Sequence, residues 1–262
     1  MIKFFRKIRQ RLLTENKFNK YLLYAIGEIV LVMIGILLAL QVNSWNQKRL
    51  DHLEEKAILS NLKEDFRNAM VEFETLNLIR LDLILAAKDV FKLSPDVEGK
   101  YPDTYLDSLF SKTLSGPTFN NKSGSLNVLL NSGKINLISN HHLKEILIEW
   151  PGDVADMIED EINQNELYLG RYLDILGKYI SWNDLVKVFT FPRARFNEVT
   201  VESLSDNLTM TSDYSALLAN KEFLNVLNRR ATFCMITNQE TEILIEKAAK
   251  IIQMIDNELK NK

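Results

Sequence analysis

Tyr21–Val42 reads YLLYAIGEIVLVMIGILLALQV, and only Gly27, Glu28, Gly35 and Gln41 interrupt its apolar run. As a helix, these 22 residues would span roughly 33 Å at about 1.5 Å per residue, enough to cross a bilayer. Thirteen of them are Leu, Ile or Val, which together favour insertion by roughly 4–8 kcal/mol. An acid at mid-bilayer costs about 2.5–3.5 kcal/mol, and Glu28 is off centre. Insertion therefore wins. A buried core helix is the competing reading. The flanks weigh against it, because Tyr21 and Tyr24 on one side and Trp45 on the other match the aromatic belts of membrane interfaces. The stretch is too long for a secretory h-region and lacks a small-x-small cleavage site, so an uncleaved signal anchor is expected.

Charge sets the orientation. In residues 1–20, seven Lys or Arg oppose Glu15, a net +6, whereas residues 43–62 are neutral. The positive-inside rule places the N-terminus in the cytoplasm. The whole chain is at −3, so everything beyond the tail carries −9, as suits an acidic domain on the far side. Ile2, Phe4, Phe5, Ile8, Leu12 and Leu13 interleave with the cations. They suit either an amphipathic helix on anionic headgroups or a tail that only supplies orientation charge. So short a basic stretch beside a membrane does not suggest nucleic-acid binding. The expected divisions are a basic cytoplasmic tail (1–20), a transmembrane helix (21–44) and a helical periplasmic domain (45–262).

The remainder reads as all-α: one membrane helix continuing into an elongated helical bundle. Leu59, Leu62, Phe66, Ala69, Phe73, Leu76, Arg80, Leu83, Ala87 and Val90 recur at steps of three and four. They form a coiled-coil-like seam broken by one cation. Leu224, Leu227, Ala231, Cys234, Asn238, Thr241, Ile245, Ala248, Ile252, Ile255 and Leu259 repeat the pattern. Asn238 and Thr241 put polar groups in mid-seam, where they can fix register. A third helical stretch is expected over 141–182, with Pro151 starting or kinking it. Between these, 93–140 is loop-rich with short helices at 103–114 and 125–139. A second interruption, 183–219, contains FTFPRARFNEVT, in which a short strand is conceivable.

The run NKYLLYAIGEIVLVMIGILLALQVNSWN (Asn19–Asn46) resembles the opening of a family of uncharacterised membrane proteins from Bacteroidota, which share a GEIVLVxxGILLALQVNxWN span after a short basic tail. LNVLLNSGKINLISNHHLKEILIEW (Leu126–Trp150) also looks like that family. The resemblance implies a Gram-negative inner membrane and brings no activity or catalytic residue.

Chemistry-bearing motifs are sparse. Cys234 is the one cysteine; it lies on an apolar seam and reads as a buried inert thiol, with an intermolecular disulfide as the alternative. His141 and His142 are adjacent, and His52 is remote, so no zinc spacing arises. Gly133-Lys134 lacks the glycine and hydroxyl of a phosphate loop and reads as a helix-ending turn. Asp156, Glu159, Asp160 and Glu161 read as a solvated helix face. No catalytic residue, metal or cofactor is expected. Glu28 is the exception, since an intramembrane acid is a functional hypothesis by default. At 100° per residue, Gly27, Glu28, Leu31, Gly35 and Ala39 share one face, on which a protonated acid could hydrogen-bond across a close helix contact. The alternative is that Glu28 snorkels to the interface.

These features suggest a non-enzymatic single-pass membrane protein with an interaction or scaffold domain. Its partners would be the lipid bilayer and either a second copy or another membrane protein. A ligand-sensing bundle that signals through a partner is the alternative. A membrane-tethered hydrolase is a third, weaker reading.

Overall fold

The 3,4-spaced seam of residues 59–90 lies on one continuous helix, α1, which runs from Phe18 to Val90. The structure, a computed structural model, describes residues 18–120, 124–189 and 210–261, apart from the side chains of 18–21, 24 and 261. By packing, the chain divides into two units, Met1–Ala57 and Ile58–Lys262. The first contributes the apolar part of α1. The second is all-α among the described residues: α2 (Asp103–Ser111), α3 (Gly124–Asn131), a 3-10 turn (Lys134–Leu137), α4 (His141–Leu167), a π-helical turn (Tyr168–Tyr172), α5 (Leu173–Leu176), α6 (Trp182–Val188), α7 (Tyr214–Ala219) and α8 (Lys221–Asn261).

Side-chain pairs fix the helix directions. Phe66 meets Trp150 edge to face and Arg80 meets Glu161, so α1 and α4 run parallel. Lys63 pairs with Asp256 and Arg80 reaches Asn238, so α8 runs antiparallel to both. In one core, Leu59, Leu62, Phe66, Phe73 and Leu76 of α1 pack with Leu147, Trp150, Val154 and Met157 of α4 and Leu244, Ala248, Ile251 and Ile255 of α8. In a second, Leu83, Ala87 and Val90 pack with Phe110, Tyr172, Leu176, Leu217, Phe223, Leu227 and Cys234. Apolar burial at about 25 cal/mol per Å² makes these seams the main source of stability in this unit.

Local signals set the boundaries. Asn140 caps α4, its side-chain oxygen accepting from the Leu143 amide at 3.0 Å; such caps contribute about 1 kcal/mol. α4 starts there and continues through Pro151. The proline neither starts the helix nor ends it, because the buried residues on both sides, Leu147 and Trp150 before it and Val154 after it, hold the turn in place. Gly133 follows α3 in the left-handed region, φ 71°, as a helix-ending glycine should. The stretch expected as one helix to residue 182 leaves α-geometry at the π-helical turn and ends at Leu176. The interruption at 183–219 contains α6 and α7, and most of FTFPRARFNEVT lies outside the described residues.

Candidate membrane face and buried polar layers

The apolar part of α1 contains an 18-residue window of mean hydropathy 2.4, none of it buried. A core helix would bury such a window, so the core-helix reading fails and the helix is long and apolar enough to span a membrane. Leu31, Gly35, Ala39 and Gly27 are exposed and Glu28 is half-buried. A β-carbon added at Gly27 or Gly35 would meet nothing within 4 Å. Trp45 is exposed. The side chains of Tyr21 and Tyr24 lie outside the described residues.

In the second unit the polar chemistry is inside. Arg80, the cation that interrupts the α1 seam, is 2% exposed, and Glu161 is 3% exposed. Arg80 Nη2 donates to Glu161 Oε1. Its Nη1 donates to Asn77 at 3.1 Å and to Thr241 at 3.3 Å, with Asn238 at 3.5 Å. The Asn238 amide returns to the Asn77 carbonyl at 3.2 Å, and Thr241 donates to Thr237 at 2.5 Å. Burial lowers the Arg80 pKa, and Glu161 opposes that shift. Glu161 therefore does not belong to a solvated face. Asp156 and Glu159 do face solvent, but α4 turns position 161 inward between Met157 and Gln164. The layer lies between the two apolar cores on all three long helices: after Leu76 and before Leu83 on α1, after Met157 and before Leu167 on α4, after Cys234 and before Leu244 on α8.

The apolar seam pattern did not single out a second buried cation. Arg230 is fully buried, its guanidinium 4.3 Å from the ring of Tyr168 and 4.2 Å from that of Tyr172. The two tyrosines bound the π-helical turn, so this local irregularity brings both faces onto one guanidinium. Arg230 donates to the carbonyls of Thr113 and Ser115 at 2.6 Å each. Burial lowers its pKa and pushes the Tyr172 hydroxyl up to about 12.

These groups hold residues 113–120 and the start of α3. Arg230 takes the carbonyls of Thr113 and Ser115, and the Tyr168 hydroxyl donates to Leu114 at 2.7 Å. Carboxylates take the amides: Glu161 that of Phe119 at 2.8 Å, Glu72 that of Asn120 at 3.0 Å, Asp65 that of Ser125 at 2.8 Å. Cations meet carbonyls and anions meet amides, which satisfies backbone that no ladder pairs. A β-carbon at Gly116 would stand 2.6 Å from Asn165 Oδ1 and 3.2 Å from the Tyr168 ring, so a side chain on this strap would have to displace the Asn165 carboxamide.

Cys234 is buried and unpaired, with the Gln164 amide 3.5 Å from its sulfur; burial raises its pKa. His141 and His142 each face Glu145, and His52 faces Glu55. No cluster that could hold a metal ion occurs among the described residues.

Residues 28–150 of the chain match a family of unknown function (DUF6090), from Glu28 in the candidate span to Trp150 in the first core. No curated protein and no solved structure matches the chain.

Proposed function

We propose that this protein is a non-enzymatic single-pass inner-membrane protein whose helical domain serves as a periplasmic interaction or scaffold module. The carrying observation is the unburied apolar window of α1, which would be costly to leave in water. The +6 tail supports a cytoplasmic N-terminus and a periplasmic C-terminal domain. Gly27, Glu28, Leu31, Gly35 and Ala39 would form the contact face of the span, with Tyr21, Tyr24 and Trp45 at its two interfaces. The buried polar layer supports a scaffold over a ligand-sensing or catalytic module: the donors of Arg80 are engaged by Asn77, Glu161 and Thr241 of the same chain.

Topology fusions test this reading. A C-terminal alkaline phosphatase fusion should be active, and a C-terminal fluorescent fusion that folds only in the cytoplasm should be dark. The reverse pattern would defeat both the orientation and the periplasmic assignment.

A further inference from the structure

Residues 113–120 belong to no helix or strand. Between described residues, Ser115, Gly116, Phe119 and Asn120 form no backbone–backbone hydrogen bond. Two separate sets of side chains hold the segment instead. At one end the Arg230 guanidinium of α8 takes the carbonyls of Thr113 and Ser115. Tyr168, whose ring lies against that guanidinium, takes the Leu114 carbonyl between them. At the other end Glu161 of α4 and Glu72 of α1 accept the consecutive amides of Phe119 and Asn120. The Phe119 ring stacks on Phe73 of α1 at 4.3 Å. Pro117, buried and with its φ fixed by its ring, lies between the two ends.

We propose that residues 113–120 are a latch that opens and closes as one unit, at a lower free-energy cost than unfolding of the bundle. A segment held by side chains can lift without breaking a helix, whereas the amides inside α4 are freed only when the helix itself opens. The two ends are coupled through the chain. One Arg–Tyr pair holds three carbonyls in a row, so freeing one unseats its neighbours. Only Gly116, Pro117 and Thr118 separate this set from Phe119, and the stiff proline among them transmits the displacement. Opening takes two carbonyls from Arg230 and one amide from Glu161 at the same time. Both side chains are buried, and the penalty for leaving them short of partners keeps the latch closed most of the time. The open state uncovers Phe73 and loosens both buried polar layers in one step. The latch belongs to the bundle and does not depend on the membrane reading.

Amide hydrogen exchange of the full chain in detergent, read at single-amide resolution, tests it. In the wild type, the Phe119 amide should exchange faster than the amides of Leu147, Val154 and Met157 in α4. Two mild variants then probe each end from the other. Tyr168→Phe keeps the ring against Arg230 and removes only the bond to the Leu114 carbonyl. It should speed exchange at Phe119 and Asn120 by roughly 2- to 10-fold, the response of an opening equilibrium to one lost hydrogen bond. Glu72→Ala removes the acceptor of the Asn120 amide. It should speed exchange by a similar factor at Thr113 and Leu114, whose own acceptors, the Phe110 and Ser111 carbonyls, are untouched. The α4 amides should keep their wild-type rates in both variants. Acceleration confined to the mutated end, or no acceleration at either end, would overturn the single unit. Acceleration of the α4 amides by the same factor, or a wild-type Phe119 amide as slow as those of α4, would show that the segment opens only with the whole bundle and would overturn the latch.

Discussion

Arg80→Met isolates the energetics of the central polar layer. Methionine keeps the unbranched stem and loses the charge. Glu161 then retains the Phe119 amide at 2.8 Å but loses the cation that compensates it at 3% exposure. Asn77 and Thr241 lose a donor as well. Breaking a buried pair from one side costs about 3–5 kcal/mol, because it strands a charge rather than merely deleting an attraction. For a domain of about 200 residues, that lowers Tm by roughly 6–20 °C at 2–4 °C per kcal/mol. The double variant Arg80→Met/Glu161→Gln removes both charges and keeps an oxygen for Phe119. It should recover most of the loss and give a coupling of about 2 kcal/mol or more in a double-mutant cycle. Urea unfolding of the detergent-solubilised protein at neutral pH, followed by circular dichroism, measures all four corners. A cost below about 1 kcal/mol for Arg80→Met, or a double variant as unstable as the sum of the single ones, would refute the argument that the pair is buried and coupled.

Two further outcomes follow from the same region. Burial, then Asp160 and Asp156, hold the Glu240 pKa above its ordinary value, with Arg80 opposing them. The folded state therefore favours the protonated acid: the charge destabilises above the folded pKa, and the penalty fades as pH falls through the folded value toward the unfolded one. Glu240→Gln should raise Tm at pH 7 and converge on wild type in acid; a gain that persists unchanged into acid would refute the assignment. Cys234 should resist a water-soluble thiol reagent in the folded protein and react at once in denaturant, and rapid native labelling would refute the burial of that face of α8.

The fold was legible wherever one side-chain period dominated. The 59–90 seam is buried as read, apart from Ala69, which is half-buried, because one face of α1 meets the bundle. On α8 the expected line is buried in part. Leu227, Ala231, Cys234, Thr241, Ala248 and Ile255 are buried as read, whereas Leu224, Asn238, Ile245, Ile252 and Leu259 are half-buried, and Phe223, Val226, Thr237, Leu244 and Ile251 are buried alongside. A helix wedged between two others buries a stripe wider than a two-position heptad, so several lines of 3,4 spacing fit the same sequence. Arg80 announced a polar break in the seam. Its partner was hidden, because Glu161 lies 81 residues away inside a run of acids and only the turn of α4 separates it from its exposed neighbours. Arg230 was missed because a cation is normally read as surface. The available clue was its spacing, three residues after Leu227 and four before Cys234. Nothing in Tyr168–Tyr172 signalled the π-helical turn that closes both rings on it.

The position of the polar layer bears on why the two cores are separate. Leu-rich seams of heptad spacing fit one another in several registers, since a seven-residue slide places apolar side chains against apolar side chains again. Arg80 and Glu161 remove that degeneracy. Sliding α8 by seven residues in one direction would replace Asn238 and Thr241 opposite Arg80 with Ile245 and Ala248; in the other, with Ala231 and Cys234. Either slip takes the guanidinium's polar partners on α8 away while the charge stays buried, a loss of about 1–3 kcal/mol for each polar group left unsatisfied. The strap adds a second constraint. Glu161 holds Phe119 while Arg230 holds Thr113 and Ser115, so a slide of α8 relative to α4 would pull one short segment from both ends. The layer thus gives up some stability that a fully apolar core could supply and in return specifies one alignment of α1, α4 and α8. That single alignment would serve the scaffold role proposed above better than added stability would.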